Sequence, residues 1–185
     1  IEDIDKNTLL KIYEYIFLYK DLLNISNETM IRIESIIRDK LKGDCIIILN
    51  PSLKNLLDND IYKLNYENEI LYIPLWHKEL IYDISNSYTA ETLNIKSIPN
   101  IPTNYSIDNN NNIHIKIHEN IIDIFNKKTL DITINTSVFE ILIEELYIKK
   151  YQIFTIQNQG IAKINENDIL DITQKAHIYI HIYLS

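Results

Sequence analysis

Apolar residues in the first forty positions recur at helical spacing. Leu9, Leu10, Ile12, Tyr13, Ile16 and Phe17 fall on one side of a 3.6-residue repeat, which predicts a helix capped by Asn7 or Thr8. A second helix is expected from Ser26, whose hydroxyl can accept a first-turn N–H. Glu28 then sits near the positive end of the helix dipole. Met30, Ile33, Ile36, Ile37 and Leu41 form its apolar face. Lys40 and Lys42 suit its last turn, and Gly43 can end it in the left-handed conformation. From Cys45 the period drops to two. CIIIL, IYKLNY, ILYIPL, LNIKSI, YSID, IHIKI, NIIDIF, TLDITI, VFEILI, YQIFTI and HIYIHIYL read as strands, with SLKNLL as one short helical turn. Strands this short, joined by tight turns, predict a mainly β fold of sandwich or barrel type behind an N-terminal helical segment. Pro74 cannot donate to a ladder and belongs at a strand end, edge or bulge.

The β portion resembles itself. Displacing residue 53 onto residue 121 places Leu53, Leu56 and Leu57 on Ile121, Ile124 and Phe125 without a gap. The same shift places Leu64, Tyr66, Ile70 and Ile73 on Ile132, Ile134, Val138 and Ile141. Each copy reads as a short amphipathic turn, a strand, a tight connection and a second strand. Duplication of one β unit predicts two similar domains in tandem, 44–118 and 119–185, after a helical linker 1–43.

Composition narrows the classes of partner. The chain has 185 residues, 46% hydrophobic and 24% charged, with a net charge of -8. That suits packed domains and opposes binding of nucleic acid through a basic face. Only 2 glycines are present, so Asn is expected at the tight turns. The lone Cys45, in an apolar run, reads as a small buried hydrophobe and excludes a disulfide framework. No apolar run approaches the ~20 residues of a membrane helix. The acidic start resembles neither a secretory signal nor a transit peptide. A cytoplasmic segment of a longer protein is the expectation.

Candidate chemistry is sparse. YIPLWHKEL places His77 and Glu79 two apart beside Trp76, but zinc needs at least three converging ligands. His114 and His118, and His177 and His181, are spaced along their own strands and read as solvent-facing positions. His77 and Glu79 are expected on the surface, with Trp76 packing an edge of the core. No G-x-S-x-G and no phosphate-cradling glycine loop occurs. Neither an enzyme nor a bound metal or cofactor is expected.

The order of these segments resembles the C-terminal peptide-binding region of J-domain proteins, the Hsp40 co-chaperones. In that family a strand leads to a short helical turn, a hairpin, an L-x-G-x-G-I/V-P segment and a final strand. Here NIHIKI is followed by NIIDIF, TLDITI, FEILIEEL, FTIQNQGIAKIN and AHIYIHIYL, with Gly160 on the second glycine. The stretch NPSLKNLLDNDIYKL…YIPLWHKEL…IPNIPTNYSIDNNNNIHI is most similar to the divergent J-proteins of large DNA viruses. The departures are several. The proline of the family segment is Ala162 here, and several family glycines are Asn or Ala. The His-Pro-Asp tripeptide, the zinc-binding Cys repeats and the dimerisation segment do not occur in this sequence.

The resemblance implies a co-chaperone fragment that binds unfolded client polypeptides. It would reach Hsp70 only through a J-domain outside this sequence, in the host cytoplasm or viral factory if the source is viral. It implies a client groove beside the strand Ile61 to Tyr66, where the client adds as an extra strand. Tyr62, Leu64 and Tyr66 share one face of that strand, and Tyr105 falls where the family has a groove aromatic. Two other readings stand beside it. One is a viral structural β-sandwich with the helices as an interaction arm. The other is a metal-dependent enzyme around His77 and Glu79.

Overall fold

The computed structural model describes residues 6–40, 46–66, 69–84 and 92–185. Cys45, Gly43 and the hairpin turn at Glu67 and Asn68 lie outside them. The protein is mainly β, with several sheets behind two N-terminal helices, α1 (Lys6–Leu18) and α2 (Asn27–Lys40). The Ser26 cap forms as expected: Thr29 N donates to Ser26 Oγ at 3.2 Å. Helix α1 is already under way at Asn7, ahead of the cap expected there.

The chain forms two compact units: 1–52 with 62–103, and 53–61 with 104–185. This grouping differs from cuts after 43 and 118, for two physical reasons. The helices share a core with strands: Leu10, Tyr13, Phe17, Met30 and Ile37 are buried together, with Ile46, Ile48 and Ile98 against them. The strand Ile113–Glu119 pairs along its length with Ile178–Leu184, which ties it to the second unit.

In the first unit, β1 (Ile46–Leu49) runs parallel to β5 (Thr92–Ser97), and β4 (Glu79–Asp83) runs antiparallel on the other side of β5. The helical core covers one face of this sheet. On the other, β2 (Ile61–Tyr66) and β3 (Glu69–Pro74) contribute Leu64, Tyr66, Leu71 and Ile73 to a second cluster with Leu93 and Ile95. Pro74 ends β3, where its missing donor costs nothing. The chain then turns through buried Leu75 and Trp76, and Glu79 opens β4, a strand that the alternating pattern alone does not separate from ILYIPL.

The second unit repeats this topology. β7 (Ile113–Glu119) lies parallel to β11 (Ile178–Leu184), with β10 (Tyr151–Ile156) antiparallel beyond it and β8 (Thr129–Ile134) paired with β9 (Ser137–Leu142). The short helices α3 (Leu53–Leu57) and α4 (Ile121–Phe125), and the hairpins that follow them, begin at 53 and 121, 61 and 129, 69 and 137. Each pair is 68 positions apart, the displacement read from the apolar pattern. Asn120 starts α4 by accepting from Ile122 N at 2.8 Å, which makes NIIDIF a helix where alternation alone read a strand. The second copy also has an added strand: β6 (Tyr105–Ile107) pairs antiparallel with β7 on the edge away from β11.

Gly160 locks the segment before β11. Its N–H donates to Ala176 O at 2.9 Å, and a Cβ at this position would meet that same oxygen at 2.9 Å. Ile161, Ala162 and Ala176 are buried beside it.

Candidate functional site

The site begins with four residues, IIIL. Side chains alternate across a strand, and both faces of β1 are covered. Ile46 and Ile48 pack on the helical core, while Ile47 and Leu49 pack on the hairpin cluster. Backbone groups alternate too. Ile98 N donates to Leu49 O at 2.8 Å, so Leu49 and Ile47 address β5. The N–H and C=O of Ile46 and Ile48 therefore point away from β5, along the outer edge. Among the described residues no strand occupies that edge.

The equivalent edge in the second copy is occupied. Lys116, which lies 68 positions beyond Ile48, donates its N–H to Asn104 O at 2.9 Å, and β6 continues the pairing through Tyr105 and Ile115. The same strand pairing thus occurs in both units, with the outer edge filled in the second and, among the described residues, unoccupied in the first.

A cleft of about 420 Å³ runs along the open edge. Residues 46–50 line it, together with Tyr13, Glu34 and Ile37 from the helices and Tyr62 from β2. Tyr13 is buried, and its hydroxyl donates to Glu34 Oε1 at 3.1 Å. Asn50 Nδ2 donates to Ile98 O at 3.0 Å, which turns its Oδ1 toward the Tyr13 hydroxyl. The cleft is apolar along β1 and carries one carboxylate on its wall. Unpaired strand groups and apolar side chains on both sides are what an extended polypeptide needs for docking.

The four residues named from sequence fall in different settings. Tyr62 is 44% exposed and lines the cleft. Leu64 and Tyr66 lie half-buried against the first unit's cluster of Ile73, Leu93 and Ile95. Tyr105 belongs to the second unit, on β6, where its hydroxyl donates to Thr133 O at 3.4 Å and burial pushes its pKa up. It does not line the cleft. Tyr13 and Glu34 were missed, because nothing in the helical period says on which sheet edge a helix docks.

The histidines were read strand by strand, and the structure corrects two of those readings. His77 is 5% exposed, in the turn that buries Trp76, and is not a surface group. Glu79 is exposed on β4 beside Lys96 and accepts from Asn94 Nδ2 at 2.6 Å. Parallel pairing of β7 with β11 brings His114 and His181 together, Nδ1 to Nε2 at 2.9 Å. Tyr151 OH lies 2.8 Å from His181 Nδ1, and Asp108 Oδ2 lies 3.4 Å from His114 Nε2. One proton per link satisfies all three contacts: Tyr151 donates to His181, His181 to His114, and His114 to Asp108. Among the described residues no group of three or more His, Cys, Asp or Glu converges to hold a metal ion. Nor, among them, is any helix long and apolar enough to cross a membrane.

No protein-family model matches the chain, and no curated protein matches it either.

Proposed function

We propose that this chain is a chaperone module that binds unfolded or partly folded polypeptides, and that the first unit takes an extended client segment as a strand on β1. The observation that carries this reading is the outer edge of β1, unoccupied among the described residues, inside a cleft lined largely by aliphatic and tyrosine side chains, where the second unit has the corresponding edge filled by β6. β6 supplies an internal example of the occupant: a short strand, antiparallel, with alternating polar and apolar residues. Main-chain bonds would give affinity that tolerates many sequences, and the cleft would favour apolar side chains. The order strand, short helix, hairpin, antiparallel strand, final strand occurs twice along the chain, and the resemblance to J-domain proteins rests on this order. Under this reading any coupling to Hsp70 resides in a J-domain that this sequence does not contain.

The test is fluorescence anisotropy of a labelled apolar-rich peptide titrated with the chain. Tyr62→Asp places a charge on the cleft wall at an exposed position, so the fold should survive, as circular dichroism would check. Saturable binding by the parent, weakened by about 1–3 kcal/mol in the folded variant, is expected. No binding by the parent would refute the reading. Leu64 is the poorer probe, since it packs into the core cluster and Leu64→Asp would unfold the unit.

A structural or assembly role is the second reading. It is favoured by the exposed apolar residues of the helical segment, Tyr15, Leu18, Leu22 and Ile31 among them. Large particles in sedimentation velocity, with no peptide binding, would select it.

A further inference from the structure

We infer that Glu34 makes the β1 cleft selective for apolar client segments that carry a Lys or Arg. This inference rests on the peptide-binding reading above and names the class of segment that the same site prefers. The described lining of the cleft is aliphatic residues, two tyrosines, one Asn and one acidic side chain, Glu34. Among the described residues no Lys or Arg lines it. The carboxylate does not swing freely. Its Oε1 accepts from the buried Tyr13 hydroxyl at 3.1 Å, and Tyr13 in turn faces Asn50, whose amide is anchored on Ile98 O. Oε2 makes no bond to any other described residue, and Glu34 is half-buried, so a cation seated there would be partly desolvated. Such a charge pair gains more than one in open water. A carboxylate side chain in the same position would be repelled.

A client strand on β1 would turn alternate side chains toward the helices, where Ile46 and Ile48 already point and where Glu34 stands. Selection therefore acts at one position of the client, and its neighbours stay apolar. This separates the cleft from a general hydrophobic surface, which would show no charge preference.

Three otherwise identical labelled apolar peptides, with Lys, Gln or Glu at the central position, would be titrated with the full chain. The Lys peptide should bind about two- to fivefold more tightly than the Gln peptide, and the Glu peptide more weakly than both. The ratio should shrink at high salt. In Glu34→Gln, which keeps an acceptor for Tyr13, the three affinities should converge while the Gln peptide is unchanged. Glu34→Ala should behave alike, with folding checked by circular dichroism. Equal affinities on the parent, or a preference that survives both substitutions, would overturn the inference and leave peptide binding standing. Failure of all three peptides to bind would overturn the inference together with the reading beneath it. An oligomer of the parent that Glu34→Gln disperses would name a second copy as occupant, and would also overturn it.

Discussion

Every non-glycine residue with positive φ among those described is an asparagine: Asn24, Asn59, Asn111, Asn135 and Asn158. The substitution of Asn for Gly at tight turns was legible from the glycine count, because few side chains tolerate that conformation. The histidine pair was not. Alternation tells which face a residue takes, but not which strand lies beside it, and β7 and β11 are far apart in sequence. The pair has a consequence in pH. Burial, the His114 charge and Lys116 together hold His181 below the ordinary value of 6.5. The folded state therefore resists a proton that the unfolded chain accepts. The contribution to stability is fully present above about pH 6.5. It falls as pH drops below that value toward the lowered folded pKa. Asp108 is also held below its ordinary value, but its window lies in stronger acid. Urea midpoints measured between pH 7.5 and 5.5 should decline for the parent and decline less for His181→Gln. Parallel curves for the two proteins would show that the pair contributes nothing to the slope.

At the scale of elements, the apolar pattern located the strands and the shift of 68, and the structure repeats that shift at three element starts. Periodicity alone could not separate α4 from a strand, because five residues give too short a pattern. The deciding signal is local: Asn120 accepts from both Ile122 N and Asp123 N, and Asp123 stands in the first turn. Asn120→Ala should cost about 1 kcal/mol, read from a urea melt with unchanged slope, whereas Asn120→Asp should cost little. A neutral Ala variant would mean that packing of buried Ile124 alone holds the helix. Strand β4 escaped notice because YIPLWHKEL hides a turn: buried Leu75 and Trp76 continue the apolar run across it. The parallel pairings, which set sheet order, leave no mark in a single sequence. Parallel neighbours need long connections, and no turn signal joins them.

At the scale of the whole molecule, the repeated strand pairing makes the chain its own control. Ile48 and Lys116 occupy equivalent edge positions, and each turns its N–H away from the centre of its sheet. Among the described residues, only the Lys116 N–H has a strand to meet, through Asn104 O. Proline removes this one donor and is tolerated where a strand's N–H faces outward. Ile48→Pro should therefore leave a folded protein, destabilised by about 1–3 kcal/mol through lost packing on the helical core. Its affinity for an apolar peptide should fall at least about tenfold, because the client strand loses a main-chain bond at the middle of β1 and the edge is distorted. Lys116→Pro breaks a bond that already exists and should loosen β6, yet its peptide affinity should match the parent's, since the edge it disturbs is already filled. Ile47→Pro, whose N–H faces β5, should unfold the first unit and marks the scale of an inward substitution. The three variants share one chemistry and differ only in where the lost N–H points. If Lys116→Pro weakened binding as much as Ile48→Pro, the client would be held by the second unit, and the open edge of β1 would need another explanation.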